Sequence, residues 1–555
     1  EAGARTAVVC KSLLGKAHTV MAEGGVAASF GNVAPDDDWE THFQDTMFGG
    51  KYLNNWRMAE LHAREAPARV EELERWGAVF DRTPDRKLNQ RPFGGHTYPR
   101  LVHIGDRTGL ELLRTLQDKA VHSGIDVYME YIVTRLLKAG DCVAGAFGYR
   151  RIDGGYHLWS AKAVVLATGG AGKAWRVNSN SWETTGDGHA LGYDAGAELV
   201  DMEFVQFHPT GMVWPPGVIG LLVTEAVRGE GGILRNNQGE RFMERYDPKR
   251  LELSTRDVVA RAIYTEVREG RGSPHGGVFL DVSHLSDDHV KRKLPAMYAQ
   301  FLELAGVDIT KEPMEVGPTC HYFMGGVSVD PETGATTVPG LFGAGECTGG
   351  MNGANRLGGN SLSDLLVFGR RAGEATAAEA AQAAAPTLAD EEVAAAAAEM
   401  DAFLEGPGED PYDIQRDLQQ TMHDLVGIFR DAESLTAALE KLGELKLRTA
   451  GARAPLPGRA WNPGWNLCRD LRNMLTVAEA VARAGLLREE SRGAHSRIDF
   501  PEYDEQWGGL NIVVRKGREG MELEPRPVRM RDELAGLVDR RKAAEAGDAV
   551  EVVAE

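Results

Sequence analysis

Two histidines and three arginines stand in short runs that could form one site. His208 lies in EFVQFHPTG and His321 in GPTCHYFMGG, each flanked by apolar residues and followed within a few positions by glycine. Arg228 follows Glu225 by three in VTEAVRGEGG, Arg256 follows a Ser-Thr pair in STRDVVARAI, and Arg356 stands in NRLGGNSL. Taken singly, each has an ordinary explanation. A lone histidine is commonly a satisfied core residue, and Glu and Arg three apart on a helix form a weak surface ion pair. The surrounding Gly229, Gly231 and Gly232 argue against such a helix. Arg256 would open a helix, where a cation opposes the dipole, so its charge needs another purpose. Taken together, guanidinium forks and imidazole donors are what a dicarboxylate ligand requires at its two ends.

The run NRLGGNSLSDLLVFGRRAG adds a second kind of site. Gly358-Gly359 makes a tight turn, and Asn360 or Ser361 is placed to cap the helix that follows. The bare N–H groups of a helix N-terminus suit a phosphate or the electron-rich edge of a flavin. Arg356 would point into the same cleft. The plain alternative is a capped helix after a loop.

These residues need a frame. Three apolar runs end in glycine: TAVVCK (a buried strand over Thr6–Lys11) before Gly15 and Gly24-Gly25, AKAVVLATGG at 161–170, and GLFGAGE at 340–346. Buried strands that stop at glycines mark a parallel sheet where backbone approaches a ligand closely. Helical periodicity lies between them at 109–121 and 360–376. The expected fold class is α/β, a discontinuous doubly wound domain with an inserted α+β capping domain, a C-terminal helical domain and a small C-terminal tail domain. The expected boundaries are 1–202 and 326–405 for the doubly wound domain, 203–325 for the cap, 406–510 for the helical domain and 511–555 for the tail. The last dozen residues are expected to be disordered.

Composition narrows the function. The chain has 555 residues, 43% hydrophobic and 26% charged, with 62 Lys and Arg against 82 Asp and Glu for a net charge of −20. That balance argues against nucleic-acid binding and against docking on an anionic membrane. The closest cysteines, Cys320 and Cys347, lie 27 apart, so there is no zinc or iron–sulfur ligand spacing, and no metal site is expected. Five scattered cysteines suit a reducing compartment. No apolar run of about 18 residues is present to span a bilayer. The Ala-rich stretch 376–400 reads as a surface helix pair.

The motifs KAHTVMAEGG, FGGHTYPR with GDRTG, ATGG, TGDGHAL, EFVQFHPTG, VTEAVRGEGG, STRDVVARAI, PTCHYFMGG, GLFGAGE, NRLGGNSL and ESRGAHSRIDFPEYD occur in that order. Together they resemble the flavoprotein subunit of succinate dehydrogenase and quinol:fumarate reductase, of the bacterial menaquinone-linked type, from about Thr6 to about Trp507. The resemblance implies an FAD-binding domain with FAD joined covalently to His18. It implies that His208 and Thr224 hold one substrate carboxylate, that His321 and Arg356 hold the other, and that Phe93 lies against the substrate. Succinate would be oxidised to fumarate, with Arg256 taking the proton and Glu225 and Arg228 passing it on. The implied FAD contacts are Ser12, Thr19, Gly24, Gly25, Gly169, Asp187, Glu346, Arg356, Asn360, Ser361 and Leu362. Membrane anchor subunits and an iron–sulfur subunit would carry electrons to quinone, with the chain held peripherally on the cytoplasmic face of the inner (plasma) membrane.

Departures from the pattern are Lys11, where many dinucleotide folds carry an acid, and Ala17, where relatives often have Ser. The resemblance also implies a first strand and G-x-G-x-x-G loop ahead of residue 1. The rival readings are net fumarate reduction, a soluble L-aspartate oxidase-like enzyme with noncovalent FAD, and a non-catalytic scaffold.

Overall fold

The computed structural model describes the backbone of residues 2–553 and the side chains of residues 2–545. The strand–glycine runs form two parallel pairs. Ala7–Cys10 pairs with Asp126–Met129, and Val164–Leu166 pairs with Leu341–Gly343. The first of these strands is Ala7–Cys10, and it is half-exposed rather than buried, because it pairs along one edge alone. Helix Trp56–Arg75 packs against helices Trp39–Gly49, Thr108–His122 and Asn360–Gln382. The last of these lies against Trp56–Arg75 and against the strands Val26–Ala27, Val164–Leu166 and Leu341–Gly343, which fixes the direction of its N-terminus. The Ala-rich stretch is helical as expected, ending one helix at Gln382 and forming another at Asp390–Asp401.

The inserted segment is built on a four-stranded antiparallel sheet in the order Val205–Met212, Met314–Phe323, Val278–Asp281, Ile233–Arg235. Helix Arg256–Arg268 packs across the first two strands. Its amphipathic spacing buries Val259, Ala262 and Ile263 with Met212, Leu280 and Phe301 in a core separate from the rest. Each fully buried large aliphatic side chain contributes about 1.5–3 kcal/mol. The strands flanking the insert, Leu199–Val200 and Gly326–Val327, pair with each other, and Leu510–Lys516 and Met521–Pro527 complete that sheet. The C-terminal strands therefore bind the base of the insert.

Helices Pro411–Leu425, Ala432–Ala450 and Pro463–Leu487 pack together, the last buried along nearly its whole length. Trp465 on it donates from Nε1 to the Met400 carbonyl at 2.7 Å. The last dozen residues, expected to be disordered, continue a helix from Asp532 as far as Val553; positions 554 and 555 lie outside the described residues. Among the described residues no helix is long and apolar enough to cross a membrane.

Candidate active site

The two histidines come from neighbouring strands. The pairing steps from Gln206–Tyr322 to Phe207–Cys320, which leaves His321 as the extra residue of a β-bulge. A bulge re-aims a side chain, and here it brings the His321 ring within 5.1 Å of the His208 ring, centroid to centroid. Ser179 Oγ lies 2.8 Å from His321 Nδ1, and the Thr210 N–H donates to His208 Nδ1 at 3.2 Å. His208 Nδ1 also lies 3.0 Å from the Thr210 carbonyl; where Nδ1 accepts from the neighbouring donors, the ring keeps an Nε2–H for an anion. Burial, reinforced by Arg256 and Arg228, holds His208 well below the ordinary histidine range. Burial, then His208, Arg256 and Arg356, does the same to His321. Both rings are therefore neutral imidazoles near pH 7.

The guanidiniums enter from other elements. Arg256 is the first residue of its helix, with Thr255 at the cap position, and the Thr255 hydroxyl does not cap. Its Nε donates to Glu225 Oε2 at 2.8 Å and its Nη1 to Gln206 Oε1 at 3.1 Å. Glu225 precedes a one-turn buried helix, Ala226–Gly229, so Arg228 returns to the same carboxylate, with Nη2 3.6 Å from Oε2. The Gly94 N–H donates to the other oxygen at 2.8 Å. Burial works against the Glu225 charge, but Arg256 and Arg228 outweigh it and hold the carboxyl below its usual range. Arg356 lies over the Tyr322 ring, 4.1 Å from its centroid, and donates from Nη2 to Gln206 Oε1 at 3.2 Å. Burial first, and Arg256 second, lower Arg356 to about 10. Arg356 Nε and Arg228 Nε and Nη2 are buried without a hydrogen-bond partner. Three guanidiniums and one carboxylate leave two uncompensated positive charges, the complement of a dianion.

Phe93 is buried between two glycines. A Cβ on Gly24 would lie 2.6 Å from its ring, and one on Gly358 would lie 2.4 Å from its ring and 3.1 Å from Arg256 Nη2. Thr224 is buried, and its Oγ1 accepts from the Ala226 N–H at 3.3 Å.

The cofactor side is a cradle of backbone at a helix N-terminus and several glycines. Asn360 is the first helical residue, not the cap; Gly359 caps the helix at φ 87° with no side-chain hydrogen bond. Asn360 cannot cap because its amide is turned away, with His42 Nε2 3.0 Å from Oδ1 and Nδ2 donating to Thr46 at 3.1 Å. Ser361 does not cap either. The Asn360 N–H donates to the Leu357 carbonyl at 3.3 Å, and the N–H groups of Ser361 and buried Leu362 face an electron-rich partner. Gly25 has φ 136°, and a Cβ there would meet the Val102 carbonyl at 2.9 Å, so backbone reaches the cleft where a side chain would not fit. Gly169 has φ 72°, at the end of strand Val164–Leu166. The Phe323 N–H donates to Glu346 at 3.1 Å, and burial pushes the Glu346 carboxyl up to about 7.

His18 opens a short turn, His18–Met21, that also contains Thr19, and its Nδ1 accepts from the Ser181 N–H at 3.3 Å. Burial depresses it to about 4, with Arg356 adding to the shift, so it is a neutral imidazole close to the arginine. The Ser181 hydroxyl and one Glu183 oxygen beside it are buried without partners. Open N–H groups, a glycine cradle and orphaned polar atoms around a neutral imidazole fit FAD. Ser12 is placed at the end of the first strand, its carbonyl accepting from Glu130 N at 3.0 Å. Asp187 is differently engaged: Lys11 Nζ at 3.0 Å, Thr185 Oγ1 at 2.7 Å and Asn473 Nδ2 at 2.8 Å already occupy its carboxylate. Among the described residues, no group of His, Cys, Asp and Glu is placed to hold a metal ion.

Comparison with known proteins decides the family. Residues 1–362 match the FAD binding domain family and residues 415–541 the fumarate reductase flavoprotein C-term family. The chain is 55% identical to Mycobacterium smegmatis Sdh1, covering 96% of this chain and 92% of that one at a TM-score of 0.85. It is 35% identical to a form of Escherichia coli quinol fumarate reductase FrdA, covering 96% and 93% at a TM-score of 0.90. A fumarate reductase (CoM/CoB) subunit of Methanothermobacter marburgensis is 47% identical, over 92% of each chain. The chain belongs to the succinate dehydrogenase/fumarate reductase flavoprotein family. It is a flavoprotein subunit of succinate:quinone oxidoreductase type, with FAD as its cofactor and succinate and fumarate as its reactants.

Gln206, Asn355 and Asp257 belong to this site and are absent from the set read out of the sequence. Gln206 accepts from two of the three arginines. Its signal was available: Gln206 and His208 alternate on one strand face, both fully buried.

Proposed function

We propose that this succinate dehydrogenase/fumarate reductase subunit holds its four-carbon dicarboxylate between His208 with Thr224 at one end and His321 with Arg356 at the other. Bound FAD supplies the hydride acceptor. Arg256, having first passed its own proton to the Glu225 carboxylate, takes the proton from the carbon next to the one that loses hydride, so succinate becomes fumarate. Glu225, 2.8 Å from Arg256, and Arg228 beyond it pass that proton outward. Phe93 closes one wall, where Gly24 and Gly358 leave it room. In the reverse direction the charged Arg256 is the acid.

The observation that carries this reading is the surplus of two buried positive charges beside two neutral imidazoles. The Glu183, Ser181 and Arg356 environment supports a covalent attachment of FAD through His18. Membrane anchor subunits and an iron–sulfur subunit carry electrons to quinone, and the chain sits on the cytoplasmic face of the membrane through them; the quinone-linked relatives support that arrangement. Net fumarate reduction is the second reading, favoured by the likeness to the Methanothermobacter fumarate reductase subunit.

The test is succinate-dependent dye reduction by the FAD-loaded protein, with fumarate identified as product and L-aspartate offered in parallel. Oxidation of aspartate in place of succinate overturns the assignment. On a denaturing gel the flavin fluorescence stays with the band.

A further inference from the structure

Arg256 and Arg356 share one acceptor, the Gln206 Oε1 atom, at 3.1 and 3.2 Å. An amide turned the other way would present an NH2 group to two cations. What prevents that turn is visible behind it. Gln206 Nε2 donates to the Arg356 carbonyl at 2.8 Å and to Asn355 Oδ1 at 2.7 Å. Asn355 is itself an amide, and its Nδ2 donates to Asp257 Oδ1 at 2.9 Å. A carboxylate only accepts, so Asp257 orients Asn355, Asn355 orients Gln206, and Gln206 turns its oxygen toward both guanidiniums. All three residues are buried.

The carboxylate that starts this chain is held from outside the pocket. Arg261 donates to Asp257 Oδ2 at 3.1 Å and to the Gly493 carbonyl at 2.8 Å. Ala494 N donates to the Ala354 carbonyl at 2.9 Å, so the same loop also fixes the residue next to Asn355. The chain thereby runs from the 490–497 loop, through the first turn of helix Arg256–Arg268, to the two arginines.

We propose that Asp257, Asn355 and Gln206 form a polarity chain of positioning residues that presents one acceptor oxygen to Arg256 and Arg356 and so sets the spacing between the proton-transferring and the carboxylate-holding guanidinium. This rests on the dicarboxylate reading above. The chain acts by keeping two like charges aimed at one small molecule. A shift of about 1 Å in either guanidinium is enough to cost about a hundredfold in turnover.

The experiment compares four variants of the FAD-loaded enzyme complex, reading flavin content, kcat and KM for succinate. Gln206→Met keeps the volume and removes the acceptor; kcat falls about thirtyfold and KM rises about tenfold at unchanged flavin content. Asp257→Asn lets both amides turn and lowers kcat about tenfold. Combining Asp257→Asn with Asn355→Asp exchanges the two groups and restores the donor order toward Gln206, recovering about fivefold of that loss. Arg261→Gln removes the outer ion pair but not the polarity, and stays within about threefold of wild type. The proposal is overturned if Gln206→Met and Asp257→Asn match wild type at equal flavin content. It is also overturned if the exchange recovers nothing, or if Arg261→Gln falls as far as Asp257→Asn, because each result makes Asp257 a structural ion-pair partner. Wild-type turnover is the separate check: an enzyme that oxidises no succinate overturns the dicarboxylate reading itself.

Discussion

Replacing Arg256 by lysine keeps the charge and removes the geometry. The arginine reaches Glu225 through Nε at 2.8 Å and Gln206 through Nη1 at 3.1 Å, from the first position of a helix packed on the cap sheet. Each such charge-assisted bond is worth about 1.5–3 kcal/mol, and a single ammonium retains one of them at most. A positioned proton donor contributes about 10² to 10⁴ in rate. The expected loss in Arg256→Lys is therefore on the order of 10³-fold in kcat, or about 4 kcal/mol. FAD content stays at the wild-type level, because the bonding partners of Arg256 are Glu225 and Gln206. The assay is single-turnover flavin reduction by succinate, and flavin reoxidation by fumarate, followed by visible absorbance. If positive charge alone matters, the lysine variant turns over within about tenfold of wild type, and that result removes Arg256 as the proton-transferring group.

Three further outcomes follow from the same geometry. Lys11 pairs with Asp187 at 3.0 Å and Asp470 at 2.8 Å, all largely buried, so Lys11→Met strands two carboxylates and costs about 3–5 kcal/mol in denaturant unfolding, part of which Asp470→Asn restores. Burial pushes the Asp364 carboxyl up to about 7, so the folded chain holds a proton there that the unfolded chain releases between about pH 4 and pH 7. Stability from this group is present at low pH and is lost as pH rises through that window, so Asp364→Asn flattens the fall in thermal midpoint between about pH 4 and pH 7. His18→Ser leaves FAD bound to the native protein and removes flavin fluorescence from the denatured band; fluorescence that persists refutes attachment at His18.

Much of this architecture is legible in local pattern. The apolar runs closing on Gly169-Gly170 and Gly343 pair with each other in parallel, while the run before Gly24-Gly25 pairs with Asp126–Met129, a strand with no glycine signal, and is half-exposed. Helix Pro463–Leu487 and its neighbours follow from helical periodicity. His208, His321, Arg228 and Arg256 stand out because a titratable residue in an apolar run has to be accounted for. Caps were less legible. Asn360 and Thr255 have capping side chains at the right places, but Asn360 is drawn off to His42 and Thr46, and Gly359 takes the cap by its left-handed backbone. Long-range partners were not legible at all. Gln206 meets Asn355 and Arg356 about 150 positions away, and Lys11 meets Asp470 from the other end of the chain. Asp257 reads as a favourable first-turn acid, which it is, and nothing local tells that its second oxygen orients an amide on another element.

The central claim is that this pocket is built for a four-carbon dianion beside FAD. Titrating fumarate into the FAD-loaded protein and following the visible flavin spectrum tests it directly. The account predicts a saturable spectral shift that disappears in Arg356→Gln and weakens strongly in His321→Ala at equal flavin content. A spectrum that does not respond to fumarate, or responds equally in both variants, contradicts it.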